Sequence, residues 1–221
     1  MMPYRLIIGD KNLSSWSLRA WLLLAQFDLP FEEVMIELDQ PDTRNRILAY
    51  SPAGRVPILQ AGGQTIWDSL AIAEFIAEHH ADLGIWPGDP ALRAQARVVA
   101  AEMHAGFANL RDELPFNCQP KVSLPALSTG AAADVARITE IWREARRTQL
   151  GSSGIQGDFQ GEFLFGPFSA ADAMFAPVAL RFEHYGVPLD DICQAYVEVI
   201  LRLPAMVAWL AGAASERRVS T

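Results

Sequence analysis

Cysteine is scarce in this chain. Its 221 residues hold two, Cys118 and Cys193, far apart and at no metal-like spacing, which excludes a disulfide framework and a cysteine zinc site. The four histidines follow no ligand pattern either, and the adjacent pair His79-His80 reads as a solvated helix end. Positive charge is the minority sign: 18 Lys and Arg stand against 26 Asp and Glu, a net −8. That balance excludes a general nucleic-acid surface but leaves room for a small anionic ligand at one local basic site. No apolar run approaches the length of a membrane span, and the opening MMPYRLIIGDKN has no apolar core long enough for a signal peptide. The expectation is a soluble, reducing, cytoplasmic setting, with no metal, no nucleic acid and no membrane partner.

What is present is apolar: 51% of the chain is hydrophobic, enough to fill one large core or two small ones. The most informative stretch is SPAGRVPILQAGGQTIWDS, residues 51–69. Proline cannot donate to a sheet ladder, so Val56-Pro57 belongs at the start of a strand. A cis bond there would turn Val56 so that its own N–H and C=O face outward. A turn through Gly62-Gly63 and a second strand, Thr65-Ile66-Trp67, follow. Asp68-Ser69 then open a helix, whose free N–H groups favour a carboxylate. The stretch thus offers a backbone edge for a peptide-like ligand, an anion site, and an acid for an ammonium group. Glutathione carries all three matching features.

Along the chain, periodicity predicts a strand over residues 4–9, a helix over 16–27, a strand over 31–38, a short helix over 41–50, the two strands of the central stretch, and a helix over 70–80. This β-α-β-α-β-β-α order predicts a small sheet whose first two strands are parallel. Residues 81–90, rich in Gly and Pro, read as a linker. Everything after is helical: one long helix over 91–114, with Ala96, Val99, Met103, Phe107 and Leu110 in phase, then a proline-punctuated loop over 115–125. Helices over 131–150, from Ser169, over 191–203 and over 205–213 follow. Residues 151–161 carry four glycines and read as a mobile loop, and 215–221 as a frayed tail. Ser169 and Asp172 form a capping-box-like helix start and are assigned to folding.

The ordered set VPIL, Gly-rich turn, DS and LAIAEFIAEHH resembles the glutathione-binding half of a glutathione transferase. IWPGDPALRAQAR and FLFGPFSAADAMFAP resemble that family's linker and its buried C-terminal helix, so the resemblance runs over nearly the whole chain. It implies α/β plus all-α architecture: a thioredoxin-like domain over residues 1–81, a linker over 82–90, and an all-helical domain over 91–221 that holds the second substrate. Where thioredoxin-like proteins carry a redox dithiol, this chain has Ser14-Ser15-Trp16-Ser17, so it has no dithiol chemistry there.

A transferase must stabilise the glutathione thiolate. Lowering a thiol pKa by about two requires about 3 kcal/mol of preference for the anion, a scale that a hydroxyl donor and a helix N-terminus together supply. Ser14 and Ser15 stand at the predicted start of the first helix, where N-capping alone also accounts for a serine. SSWSLRAW resembles the serine motif of zeta-class members and, more loosely, the serine or cysteine position of the theta, delta and beta classes. The match ranks Ser14 first and Ser15 second as catalytic residue. Tyr4 lies in the first strand, too early for the tyrosine of other classes.

The family implies further roles. Val56, with Pro57, pairs its backbone with the cysteinyl unit. Asp68 takes the γ-glutamyl ammonium and Ser69 its carboxylate, Arg55 meets the glycyl carboxylate, and Lys11 and Asn12 line the same cleft. Met103, His104, Phe107 and Arg111 are candidates for the second-substrate pocket by period; Met103 and Phe107 fit core better, which leaves His104 and Arg111 as the informative pair. The implied function is a glutathione transferase acting on a small electrophile, in detoxification, with glutathione as co-substrate and a homodimer as the assembly. The alternatives are a zeta-like cis-trans isomerase, weakened because the later-helix zeta arginine falls near His184, and a non-catalytic ligand-binding module.

Overall fold

The computed structural model describes residues 3–118, 122–152 and 162–216. Its first part alternates strand and helix: β1 (Tyr4–Gly9), α1 (Ser15–Gln26), β2 (Phe31–Ile36), α2 (Thr43–Leu48), β3 (Ile58–Ala61), β4 (Gln64–Trp67) and α3 (Ser69–His79). The sheet order is β2-β1-β3-β4. β1 and β2 run parallel, and β3 runs antiparallel to both β1 and β4. Side chains of a strand alternate between faces, and β1 buries both. Leu6 and Ile8 join the main core with α1 and α3, while Ile7 packs with Ile36, Ile47 and Ile58 beneath α2. This is a thioredoxin-like domain.

The second part is helical: α4 (Pro90–Ala105), α5 (Ala108–Glu113), α6 (Thr129–Ser152), α7 (Ala170–Tyr185), α8 (Asp191–Arg202) and α9 (Pro204–Ser215). α7 is the axle. Nearly all of it is buried, and it packs against α1, α4 and α8, so the two parts share one continuous core. Its N-terminus is a full capping box, with Asp172 accepting from the Ser169 N–H (2.9 Å) and hydroxyl (3.0 Å). Among the described residues no single helix is long and apolar enough to cross a membrane. α8 and α9 reach that composition only jointly across a 68° bend, and their apolar faces are buried in the core.

The expected single helix over 91–114 is two. α4 stops at Gly106, and Phe107 takes a left-handed conformation (φ 63°) before α5 begins. Phe107 and Leu110 keep the apolar phase across the break, which is why periodicity passes over it. The carbonyls freed at the end of α4 are taken by Arg111, whose Nε donates to Gly106 O (3.2 Å) and Nη2 to Met103 O (2.5 Å). The second strand is also two residues shorter than expected, and α6 extends through 151–152. The rest of the expected Gly-rich loop, the centre of the 115–125 loop and the tail beyond 216 lie outside the described residues.

Candidate functional site

Ser14 is the N-cap of α1. Its Oγ accepts from Ser17 N (3.2 Å) and donates to Ser17 Oγ (2.7 Å), which in turn accepts from Gly9 N (3.0 Å). That hydroxyl is therefore committed to holding β1 against α1. Ser15, the first residue of the helix and largely buried, has a hydroxyl with no hydrogen-bond partner among the described residues.

Asp68 caps α3 from a left-handed conformation (φ 79°): Oδ1 accepts from Leu70 N (2.9 Å). Its Oδ2 lies 3.1 Å from His104 Nε2 on α4. The His104 ring meets Trp16 edge-on at 5.2 Å, and Trp16 follows Ser15. His104, expected to serve the second substrate, thus ties the start of α3 to the start of α1. Ser69 is buried, with its hydroxyl 3.9 Å from Met174 Sδ. The Val56-Pro57 bond is cis, Pro57 is buried, and Arg55 is exposed without a partner among the described residues.

Lys11 and Asn12 face a different task. The Glu216 carboxylate accepts from the Lys11 N–H (2.6 Å), the Asn12 N–H (3.1 Å) and Asn12 Nδ2 (2.8 Å), and Asn12 Nδ2 also donates to Ala213 O (2.6 Å). The Lys11 ammonium pairs with Glu33 between the rings of Trp21 and Trp209. These two residues tether α9 to the first loop. Met103 is fully buried and Phe107 nearly so, both in the core.

Sequence reasoning passed over Trp16 and Arg19. The guanidinium of Arg19 lies 4.3 Å from the Trp16 ring centre and that of Arg111 lies 4.7 Å from it. Arg19 is 2% exposed, and burial drives its pKa well below the ordinary arginine value, with Arg111 and Arg181 adding repulsion and Asp68 opposing them. The available signal was a charge inside an otherwise apolar helix, SWSLRAWLLL, where arginine is seldom buried without a reason.

Residues 13–79 match the family model described as the glutathione S-transferase N-terminal domain. That stretch is a glutathione S-transferase N-terminal domain. The chain is 32% identical over 102 residues to a probable maleylacetoacetate isomerase of Caenorhabditis elegans, an overlap of 46% of this chain and 47% of that protein. It is also 37% identical over 65 residues to dichloromethane dehalogenase of Methylorubrum extorquens, 28% of this chain and 23% of that protein. The matches therefore span about half the length of these curated relatives, or less. Among solved structures, a Burkholderia glutathione transferase homolog with bound glutathione superposes with a TM-score of 0.71 at 22% identity, covering 97% of this chain and 100% of that one. Ure2p in complex with glutathione gives 0.72 at 16% identity, over 95% of this chain and 94% of the other. At such identities the superpositions establish the glutathione transferase fold.

Proposed function

We propose that this chain is a glutathione transferase family member that binds glutathione between the starts of α1 and α3 and directs its thiol at a small electrophile. The observation that carries this reading is the Asp68–His104–Trp16 chain of contacts, which brings the acid suited to an ammonium group next to the helix start suited to a thiolate. In this reading Asp68 holds the γ-glutamyl ammonium, Ser69 the neighbouring carboxylate, the Val56 backbone the cysteinyl unit and Arg55 the glycyl carboxylate. Ser15 is the thiolate donor, because its hydroxyl is uncommitted while that of Ser14 is engaged with Ser17. Lys11 and Asn12 serve by fixing the loop in front of α1. The same reading divides the chain at 1–81, 82–90 and 91–221 and makes it a homodimer, which sedimentation would test.

Titration calorimetry on Asp68→Ala tests the binding half of the proposal: affinity for glutathione should fall more than tenfold with the fold retained, and equal affinity would remove Asp68 from the site. The similarity to a probable maleylacetoacetate isomerase favours a second reading, glutathione-dependent cis-trans isomerisation. Turnover of maleylacetone without net consumption of glutathione would select it over transfer.

A further inference from the structure

The loop between β1 and α1, residues 10–14, is gripped at its centre by the far end of the chain. Lys11 and Asn12 are buried although they lie in a loop. Their two backbone N–H groups donate to the Glu216 carboxylate (2.6 and 3.1 Å), and Asn12 Nδ2 makes a third bond to it (2.8 Å). The Lys11 carbonyl accepts from Trp209 Nε1 (3.2 Å), and Asn12 Nδ2 also reaches Ala213 O (2.6 Å). Gly212 allows so close an approach: a Cβ there would fall 2.8 Å from Lys11 Cδ. Trp209, Gly212 and Ala213 of α9 and Glu216, just past its end, follow the i, i+3, i+4, i+7 spacing of a single helix face. That face is given over to the loop.

Two successive N–H groups and a side-chain amide converging on one acceptor make a small anion nest, and its occupant is the chain's own carboxylate. Both oxygens are needed: Oε1 serves Lys11 and Oε2 serves Asn12. A glutamine there would set its NH2 group against donors. Bonds to an ionised acceptor are also the stronger kind. From the nest the chain runs directly into the helix. The N–H groups of Leu13 and Ser14 both donate to Asp10 O (3.1 and 2.9 Å), so the loop is a tight turn, and Ser15 is the first residue beyond it. Leu13, between the nest and the serines, is exposed and is not fixed by burial. The core holds α1 from behind, and the nest holds the approach to its first turn.

We infer that Glu216 is a positioning residue for the serine that meets the glutathione thiolate, acting through the 10–14 loop. This deepens the function proposed above and rests on it, since it makes the end of the helical part set the ionisation of a thiol bound to the first part. A hydrogen bond weakens steeply as its angle and distance depart from the optimum. A first turn displaced by loss of the nest therefore costs the thiolate its donor. The contacts proposed for Val56, Asp68 and Ser69 belong to other elements and stay in place.

The test reads thiol ionisation and affinity separately in the full-length protein. The thiolate absorbance of bound glutathione is followed against pH, and S-methylglutathione, which has no thiol to ionise, is titrated calorimetrically. In Glu216→Ala the pH midpoint of the thiolate should rise by about 1, a tenfold loss of the anion, with affinity for S-methylglutathione unchanged. Acetate, which supplies the atoms the alanine lacks, should bring the midpoint back in that variant and leave the wild type unmoved. Glu216→Gln, which keeps the length of the side chain and lacks the second acceptor, should show the same rise and serves if the alanine variant does not fold. An unchanged midpoint in the Glu216 variants would overturn the inference and leave the proposed function intact. A rise matched by loss of S-methylglutathione affinity, or one that acetate does not reverse, would make Glu216 a general support of the fold and overturn it as well. A wild type that binds glutathione without a thiolate signal would remove both the serine's role and this inference, whereas absent glutathione binding would remove the proposed function itself.

Discussion

Asp172→Ala should lower stability by about 3–5 kcal/mol. Asp172 is completely buried at the start of α7 and accepts four hydrogen bonds: from Leu164 N (3.0 Å), Ser169 N (2.9 Å), Ser169 Oγ (3.0 Å) and Tyr196 Oη (3.2 Å). The two hydroxyls can rotate in search of another acceptor, but the two backbone N–H groups cannot. Each orphaned backbone donor costs about 1–3 kcal/mol, and loss of the cap adds about 1 kcal/mol. Relief of the buried charge offsets part of the sum. In a chain of this size each kcal/mol moves the melting temperature by about 2–4 °C, so a fall of about 10 °C is expected in far-UV circular dichroism at neutral pH. Asp172→Asn, which keeps an acceptor, should lose about half as much. A fall of less than about 2 °C for the alanine variant would refute the view that this capping box anchors α7.

Burial raises the Asp172 carboxyl to about 6 from its ordinary 3.8. The folded chain therefore holds this proton more tightly than the unfolded chain does. The stability this group contributes grows on acidification through 6 and is lost again as the pH rises through it. In Asp172→Asn that component of the pH–stability slope should vanish, and an unchanged slope would assign it elsewhere. Gly106→Ala should destabilise by about 1–3 kcal/mol in a thermal melt, because an added Cβ would sit 2.9 Å from the Glu102 carbonyl oxygen. Burial and Asp190 push the Cys193 thiol up to about 12, so it should resist alkylation at neutral pH until the protein is unfolded; rapid labelling of the folded protein would contradict its packing. Glu216→Ala should speed hydrogen exchange at the Lys11 and Asn12 amides it binds, and unchanged protection would show that α9 is held by packing alone.

The order of the first seven elements was legible because each carries its own period and punctuation. YRLIIG reads as a strand, Ser14 as a cap, and Gly62-Gly63 as a turn. The break between α4 and α5 was not, because Met103, Phe107 and Leu110 stay in phase across it while Arg111 closes the gap from within the second segment. In the site, Asp68 and the two serines stood out from local chemistry, each beside a helix N-terminus. Which serine is engaged depends on Ser17, a neighbour that itself bonds back to β1. The His104–Asp68 pair joins residues from two helices, and no spacing in the sequence announces it. Lys11 and Asn12 were assigned to the cleft by position alone, and their dominant partner, Glu216, lies at the far end of the chain.

The most direct test of the central claim is a calorimetric titration of the wild-type protein with glutathione, with the thiolate absorbance recorded on the same sample and on Ser14→Ala and Ser15→Ala. Binding with a thiolate signal at neutral pH, lost in Ser15→Ala and kept in Ser14→Ala, is the predicted result. Loss in Ser14→Ala alone would reverse the roles of the two serines. Absence of glutathione binding by the wild-type protein would contradict the account.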